Sequence, residues 1–521
     1  MFGALVRKEL LSNLLTFRLS VALVFTVVLS GLATFIGSLD FSRNMESHRQ
    51  EVRALQEQLG RATVYSQVEP RITLPPQPLA ILARGVIGVA PQQYGVWIDY
   101  YGRSPAAGGS SFDSEYMKTL VQIDFVTVVT LLLSFLAVVL GFDGICGERE
   151  RGTLRQLLAY PVPRAYVVLA KLGGGMISLW MALAVAFVIC LLIVLTNDDV
   201  ALGADEWVRL GILFALTSLF LGQVFALSLT VSSCTRHTDT ALIVCLFLWL
   251  VGGVGYLSAL PSLARYGYPE TPHQNYVDKD RELWEELQRQ MAAWEAQNPP
   301  PAQAYFVGIE REGCRRYARP EAYRWLQRRN AVELGERLRQ ADQRYQLQYA
   351  TWDPLAQEAY LVDRWSVLSP FTNYQVLAYV LARTSLDDVF HIGRFGRDYR
   401  QTYLAYLRGK DAFASRRWFT DDPPDQEPMV PDPESLSPEM LSPDSPYMLA
   451  RMAWAEAQER RTEADDSRRL DLSDLPRFGR GWQRSLGASL AATVPGLAVL
   501  VLTFGVSVMA VVSRFLRYDP R

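Results

Sequence analysis

The sequence is poor in the residues from which soluble catalytic and metal sites are built. It holds four histidines and five cysteines among 521 residues. The histidines (His48, His237, His273, His391) are scattered. No His-Glu-x-x-His spacing and no Gly-x-Ser-x-Gly elbow occurs, which removes the signals for a zinc protease or an α/β-hydrolase. Cys146, Cys190, Cys234 and Cys245 lie in or beside apolar runs, and only Cys314 sits in polar sequence. A lone cysteine there forms no internal disulfide, and no Cys-x-x-Cys or Cys/His cluster marks zinc. A Gly-x-x-x-x-Gly-Lys-Ser/Thr loop is absent too, so the chain does not cradle ATP phosphates by that device. Net charge is −2, which gives no case for nucleic-acid binding. No catalytic and no metal-ligating residue is expected.

What the chain has is apolar length. Half of its residues are hydrophobic, yet mean hydropathy is only +0.05, so strongly apolar segments are diluted by a large polar part. Six runs approach or exceed the ~20 residues that a bilayer span needs. They are Leu19–Leu39, Leu120–Phe142, Val167–Leu195, Leu210–Val231, Ala241–Leu260 and Leu486–Val512. The first follows Arg7 and Lys8 as a signal peptide would, but it is full length and no small-x-small cleavage site follows, so it reads as an uncleaved span. The short loops fix one orientation. Arginine crowds the loop after the second run, Arg236 and His237 lie after the fourth, and Arg514, Arg517 and Arg521 end the chain. The loop after the third carries Asp198, Asp199, Asp205 and Glu206 instead. The positive-inside rule then puts both termini in the cytoplasm.

The expected fold class is a polytopic α-helical membrane protein. It has six transmembrane helices and two extracytoplasmic inserts, the second largely helical. The expected division is residues 1–18 as a cytoplasmic elbow helix, 19–39 as a span, 40–118 as an insert, 119–142 as a span and 143–166 as a cytoplasmic coupling loop. Three spans fill 167–260, a large extracytoplasmic domain 261–484, a last span 485–513, and a tail 514–521. The first insert opens with a helical stretch, Ser42 to Leu59, and turns Pro- and Gly-rich around Leu74–Pro78 and Ala106–Ser110, where strands and loops are expected. In the second, Leu283, Leu287, Met291 and Trp294 form one apolar stripe. Leu334, Leu338, Ala341, Tyr345 and Trp352 form another, on a helix of up to ~30 residues, roughly 45 Å. Two such helices fit an antiparallel stalk. Asp421–Pro446 holds eight prolines among acids and reads as an extended loop.

Ionisable groups near span ends have a cheap explanation: Asp124 and Lys171 are expected to reach the headgroups. Gly173–Gly175 and Gly252–Gly253 permit close helix packing.

The loop after the second run carries the strongest signal. After Gly147, the residues Glu148, Arg149, Glu150, Arg151, Gly152 and Thr153 start a helix just under the bilayer. Leu154, Leu157 and Leu158 give it one apolar face, and Pro161 and Pro163 end it. A helix rigidly joined to two spans moves them when pushed. Its spelling, with Phe142 and Asp143 before it and Tyr160 to Arg164 and Lys171 after it, resembles the permease subunits of type-2 ABC transporters. The branch it resembles most is that of multi-copper-enzyme-maturation-type permeases. Leu368–Tyr374 and Ala382–Asp388 are similar to the extracytoplasmic part of a permease subgroup with a long insert before its last span. Arg7, Lys8, Glu9 and Leu10 fit the elbow helix of such permeases.

The resemblance implies a half-transporter. Two six-span units, as identical copies or paralogues, would pair in the inner membrane of a prokaryotic cell and bind cytoplasmic ABC ATPase subunits. ATP and Mg would sit on the partner ATPase, with no cofactor on this chain. The coupling contacts would come from Asp143 and from Glu148 to Leu158, with the elbow helping. The assembly would be an ATP-driven exporter or a mechanotransmitting machine. The inserts suggest an extracytoplasmic partner protein. A rival class is a non-transporting scaffold that displays periplasmic domains. A membrane-embedded enzyme ranks last, because no catalytic cluster shares one membrane depth.

Overall fold

The structure is a computed structural model. It describes residues 2–86, 93–98, 101–103, 123–159, 163–256, 258–260, 272–300, 307–309, 315–317, 320–419, 421, 437, 439–440, 442–464 and 466–517. The Gly-rich part of the first insert, most of the Pro-rich acidic loop, Tyr160, Pro161 and Cys314 lie outside these residues.

Among the described residues, six helices are long and apolar enough to cross a bilayer: Phe17–Gly60, Phe125–Glu150, Arg164–Leu195, Ala204–Cys234, Thr238–Gly255 and Leu486–Leu516. The chain is a polytopic helical membrane protein. A short helix, α1 (Phe2–Leu14), precedes them. Helix α2 (Phe17–Gly60) differs from the expected span plus separate helix. It is continuous for 44 residues, roughly 66 Å, about twice the hydrocarbon thickness. No glycine or proline lies between Leu39 and Leu59 to break it, so the polar stretch simply extends the span. The second span is α3, which runs as Phe125–Val128, a π turn at Val129–Leu133, and Ser134–Gly141. Two short helices follow, α4 (Cys146–Glu150) and α5 (Thr153–Leu158). Then come α6 (Arg164–Leu195), α7 (Ala204–Cys234) and α8 (Thr238–Trp249), the last continuing through a π turn at Leu250–Gly255.

The polar remainder contains α9 (Pro272–Gln297), α10 (Pro320–Ser366), α11 (Pro370–Ala382), α12 (Leu386–Gly409) and α13 (Pro446–Ala464). Helix α14 (Leu486–Leu516) closes the bundle. Strands β1 (Arg71–Thr73), β2 (Gln93–Val96) and β3 (Tyr101–Arg103) form an antiparallel sheet, with Ile72 opposite Tyr94 and Gly95 opposite Gly102. Strands β4 (Val307–Ile309) and β5 (Arg315–Tyr317) pair antiparallel.

Helices α9 and α10 pair antiparallel, because ascending positions on one meet descending positions on the other. Arg344 binds Asp280 at 3.0 Å, Arg329 binds Glu295 at 2.6 Å, and the Trp325 indole donates to the Asn298 carbonyl at 2.7 Å. Leu287, Met291, Leu334 and Ala341 are buried and Leu283, Trp294 and Leu338 half-buried, as the stripes require, while the side chains of Tyr345 and Trp352 lie outside the described residues. The two inserts share a single core. Val68, Ile72 and Val96 from the first pack with Leu334, Tyr403 and Trp418 from the second.

Helix α11 joins a different core. Although only 13 residues long, too short to span, it packs among the membrane helices. Tyr374 is fully buried, stacks on Phe220 of α7 at 4.5 Å, and its hydroxyl lies 2.9 Å from Thr217 Oγ1. Asn373 donates to the Gly496 carbonyl of α14 at 2.9 Å, and Ser369 Oγ donates to the Gly252 carbonyl at 2.6 Å.

Candidate functional site

The bundle has two ends: one carries α1, α4 and α5, and the other carries the inserts. At the first end, four charges close into a quartet. Glu148 Oε1 accepts from Lys171 Nζ at 2.9 Å and from Lys8 Nζ at 3.0 Å, and Glu9 lies 3.1 Å from Lys171 and 3.4 Å from Lys8. Lys171 is 4% exposed, so it does not reach for headgroups as its position near a span end suggests. It turns inward because two carboxylates outbid solvent for its charge. Burial works against the charge on Lys8, but Glu148 and Glu9 outweigh it and hold that amine above the ordinary lysine value. The other Glu148 oxygen is buried with no hydrogen-bond partner among the described residues. Arg7, by contrast, is exposed and outside the quartet.

The rest of the loop is tied to α7 and α8. Ser232 Oγ accepts from the backbone N–H groups of Ile145 and Cys146, both at 3.0 Å, which satisfies donors at the start of α4. Arg149 donates to the carbonyls of Thr235 at 2.9 Å and Ser233 at 3.5 Å. Glu150 accepts from Thr238 Oγ1 at 2.7 Å and lies 3.5 Å from His237 Nδ1. Arg151 folds back on the Gly147 carbonyl at 3.0 Å, and Thr153 Oγ1 donates to the Glu148 carbonyl at 3.2 Å. Arg18 binds Asp143 at 3.2 Å and lies over the Phe142 ring at 5.4 Å.

The expected single helix from Glu148 to Leu158 is two. Gly152 adopts φ +76°, a left-handed conformation that L side chains rarely take, and there the chain turns between α4 and α5. Leu154 is buried in the membrane core and Leu157 packs against it, while Thr153, Arg155 and Gln156 are exposed. The Leu158 side chain lies outside the described residues. The loop thus presents one polar face outward and is anchored on the other.

At the insert end lies a cluster that the sequence does not announce. Arg209 of α7 is fully buried. Its Nε donates to Asp205 at 2.8 Å, its Nη1 to the Leu381 carbonyl at 2.8 Å and Ser489 Oγ at 3.0 Å, and its Nη2 to the Arg484 carbonyl at 3.1 Å. Arg383, itself at φ +60°, donates to the same Arg484 carbonyl at 2.9 Å and pairs with Asp205 and Glu206. Arg484 in turn pairs with Asp387 and lies 3.5 Å from Asp388. Three arginines therefore bolt α7, α11, α12 and α14 together. Nearby, Asp124 is a buried cap of α3, accepting from Thr127 N–H at 2.8 Å and Arg84 N–H at 2.9 Å, and not a headgroup-facing carboxylate.

Comparison with known proteins agrees with this architecture. Residues 4–395, three quarters of the chain, match the family described as ABC-2 family transporter protein. The chain belongs to the ABC-2 transporter family. Among curated ABC-2 relatives, it is 33% identical over 127 residues to a protein named probable ABC transporter permease protein NosY from Stutzerimonas stutzeri. That match covers 24% of this chain and 45% of the relative. It is 32% identical over 158 residues to a protein of the same name from Pseudomonas aeruginosa, covering 30% of this chain and 54% of the relative. The chain spans about half the length of the curated relatives it matches. The ABC-2 match runs through most of α1, the loop, the first insert and the Arg209 and Arg383 part of the cluster as far as Phe395, and it stops before Arg484 and Ser489.

Proposed function

We propose that this chain is the permease subunit of an ABC transporter, receiving force from separate cytoplasmic ATPase subunits. In this reading it sits in the inner membrane with both termini in the cytoplasm and pairs with a second permease copy or paralogue. ATP and Mg bind the ATPase partner and not this chain. The carrying observation is the quartet of Lys8, Glu9, Glu148 and Lys171. It fuses the elbow, the loop and α6 into one body, so a push on the exposed face of α5 moves a span and not just a loop.

One geometric fact favours a mechanotransmitting machine or an exporter with moving external domains. Helix α7 holds the loop at its Ser232 end and the arginine cluster at its Arg209 end, and it is an unbroken rod of 31 residues, roughly 46 Å. Displacement at the loop then reaches the inserts, which would act on an extracytoplasmic partner. The rival reading, a non-transporting scaffold, requires no ATPase.

The test is mild-detergent affinity purification of the tagged chain with mass spectrometry and an ATPase assay, run beside Glu148→Ala and Gly152→Trp. Co-purification of an ATPase whose hydrolysis is lost or uncoupled in the variants supports the permease reading. If no ATPase appears under several extraction conditions and both variants behave as wild type, the scaffold reading replaces it.

A further inference from the structure

The domain that the two inserts build together contains a cavity of ≈ 270 Å³. Both inserts line it, since the loop around β2 supplies one wall and α10 and α12 supply another. Five aromatic side chains line it: Tyr65, Trp97, Tyr403, Trp418 and Phe419. The polar lining is short and charged. Glu69 and Glu333 line the cavity with Arg337, and since Arg329 pairs with Glu333 from outside the lining, Glu69 is the carboxylate left for an occupant.

The two glutamates differ. Glu333 already accepts from Arg329 at 2.6 Å. Glu69 has no ion pair among the described residues. The Trp97 side chain bonds to it and Arg71 acts on it only through space, while burial pushes its carboxyl above the usual range. Ser66 also lines the cavity, and its hydroxyl oxygen is buried with no hydrogen-bond partner among the described residues. An aromatic box with one half-buried carboxylate that has no ion pair among the described residues is chemistry suited to a positive charge, because ring faces attract cations and a partly desolvated anion gains from one. The volume lies just under that of pockets which take drug-sized ligands, so the occupant is a small group.

We propose that this cavity binds an organic cation, an ammonium or guanidinium on a short aliphatic stem, with Glu69 as its counter-charge and the aromatic rings as its walls. The stem lies against the rings and the head reaches Glu69 and Ser66. The same chemistry is offered by a free alkylamine and by a lysine or arginine side chain of a partner polypeptide. This inference does not rest on the coupling role proposed above, since it concerns the inserts alone.

The experiment is isothermal titration of the full chain in an uncharged detergent with n-butylguanidinium, n-butylammonium, n-butanol and butyrate. The two cations should bind saturably and at least tenfold more tightly than the alcohol or the acid. Glu69→Gln should weaken the cations at least tenfold and leave the alcohol unchanged. Ser66→Leu, which fills the cavity without altering a charge, should abolish binding and serves as the second variant if Glu69→Gln folds poorly. A capped Gly-Arg-Gly peptide separates the sources: binding at or above the free cation points to a polypeptide side chain, and exclusion points to a free amine. The proposal is overturned if the cations do not bind, if n-butanol matches them, or if a well-folded Glu69→Gln or Ser66→Leu chain binds them undiminished.

Discussion

Lys171→Met tests whether the quartet holds the elbow, loop and α6 together. Methionine keeps the apolar stem and removes the charge. Glu148 then loses its 2.9 Å partner and keeps only Lys8, which is half exposed, while its second oxygen is already buried without a bond. Stranding one member of a buried pair costs about 3–5 kcal/mol, and the remaining lysine offsets part, so a loss of about 3 kcal/mol is expected. Glu148→Gln added to Lys171→Met removes the stranded charge. The double variant should recover most of that loss, with an interaction energy of about 2 kcal/mol in the cycle. The assay is apparent unfolding of the detergent-solubilised chain, for all four members of the cycle under one condition. Stability of Lys171→Met within about 0.5 kcal/mol of wild type would refute the argument. So would a double variant that simply adds the losses of the two singles.

Three further outcomes follow from named contacts. Arg209→Lys replaces a planar fork with a single ammonium and strands acceptors in three segments. Loss of about 3 kcal/mol and faster protease cleavage around Arg484 are expected, read by limited proteolysis. Gly152→Ala meets no neighbouring atom within 4 Å, so its cost is backbone strain alone, about 1–2 kcal/mol by the same unfolding assay. Tyr374→Phe keeps the stack on Phe220 and loses the bond to Thr217 for about 1 kcal/mol, whereas Tyr374→Ala empties a fully buried site for about 3–5 kcal/mol; a melt of both separates ring from hydroxyl.

The parts of the fold legible in the sequence are those with long periodic signals. Six apolar runs became six spans, and the stripes at Leu287 and Leu334 became the buried seam of α9 and α10. What was not legible depends on where a side chain ends up. Arg209 sits one residue before an apolar run, and nothing local distinguishes it from an arginine at the water boundary; its burial comes from Leu381, Arg484 and Ser489, far away in the chain. Lys171 carries the same ambiguity. Helix α11 was hidden by its length: thirteen residues do not span a bilayer, so Phe371 and Tyr374 read as part of an insert although they pack with Phe220. The break at Gly152 had a visible cause, a glycine between two helical pieces, but propensity alone does not say that its φ turns positive.

Under the proposed permease reading, Ser232 is the residue that tests whether α7 carries displacement from the loop to the inserts. Its hydroxyl is the acceptor for two backbone donors at the start of α4, and it is fully buried. Ser232→Ala leaves the Ile145 and Cys146 N–H groups unpaired in a dry site, at about 1–3 kcal/mol each, less whatever the loop regains by shifting away. That shift is the point: the loop relaxes off the rod, while the quartet on α6 still holds it to the elbow. On the proposed permease reading, the chain should still bind an ATPase subunit and hydrolysis should continue, but the ATP-dependent change in hydrogen exchange of the inserts should shrink. Ser232→Cys keeps the volume with a weaker acceptor and should fall between alanine and wild type. A full ATP-dependent change at the inserts in Ser232→Ala would show that force reaches them by another helix. Helix α6, locked to the loop through Lys171, would then be the member to cut next.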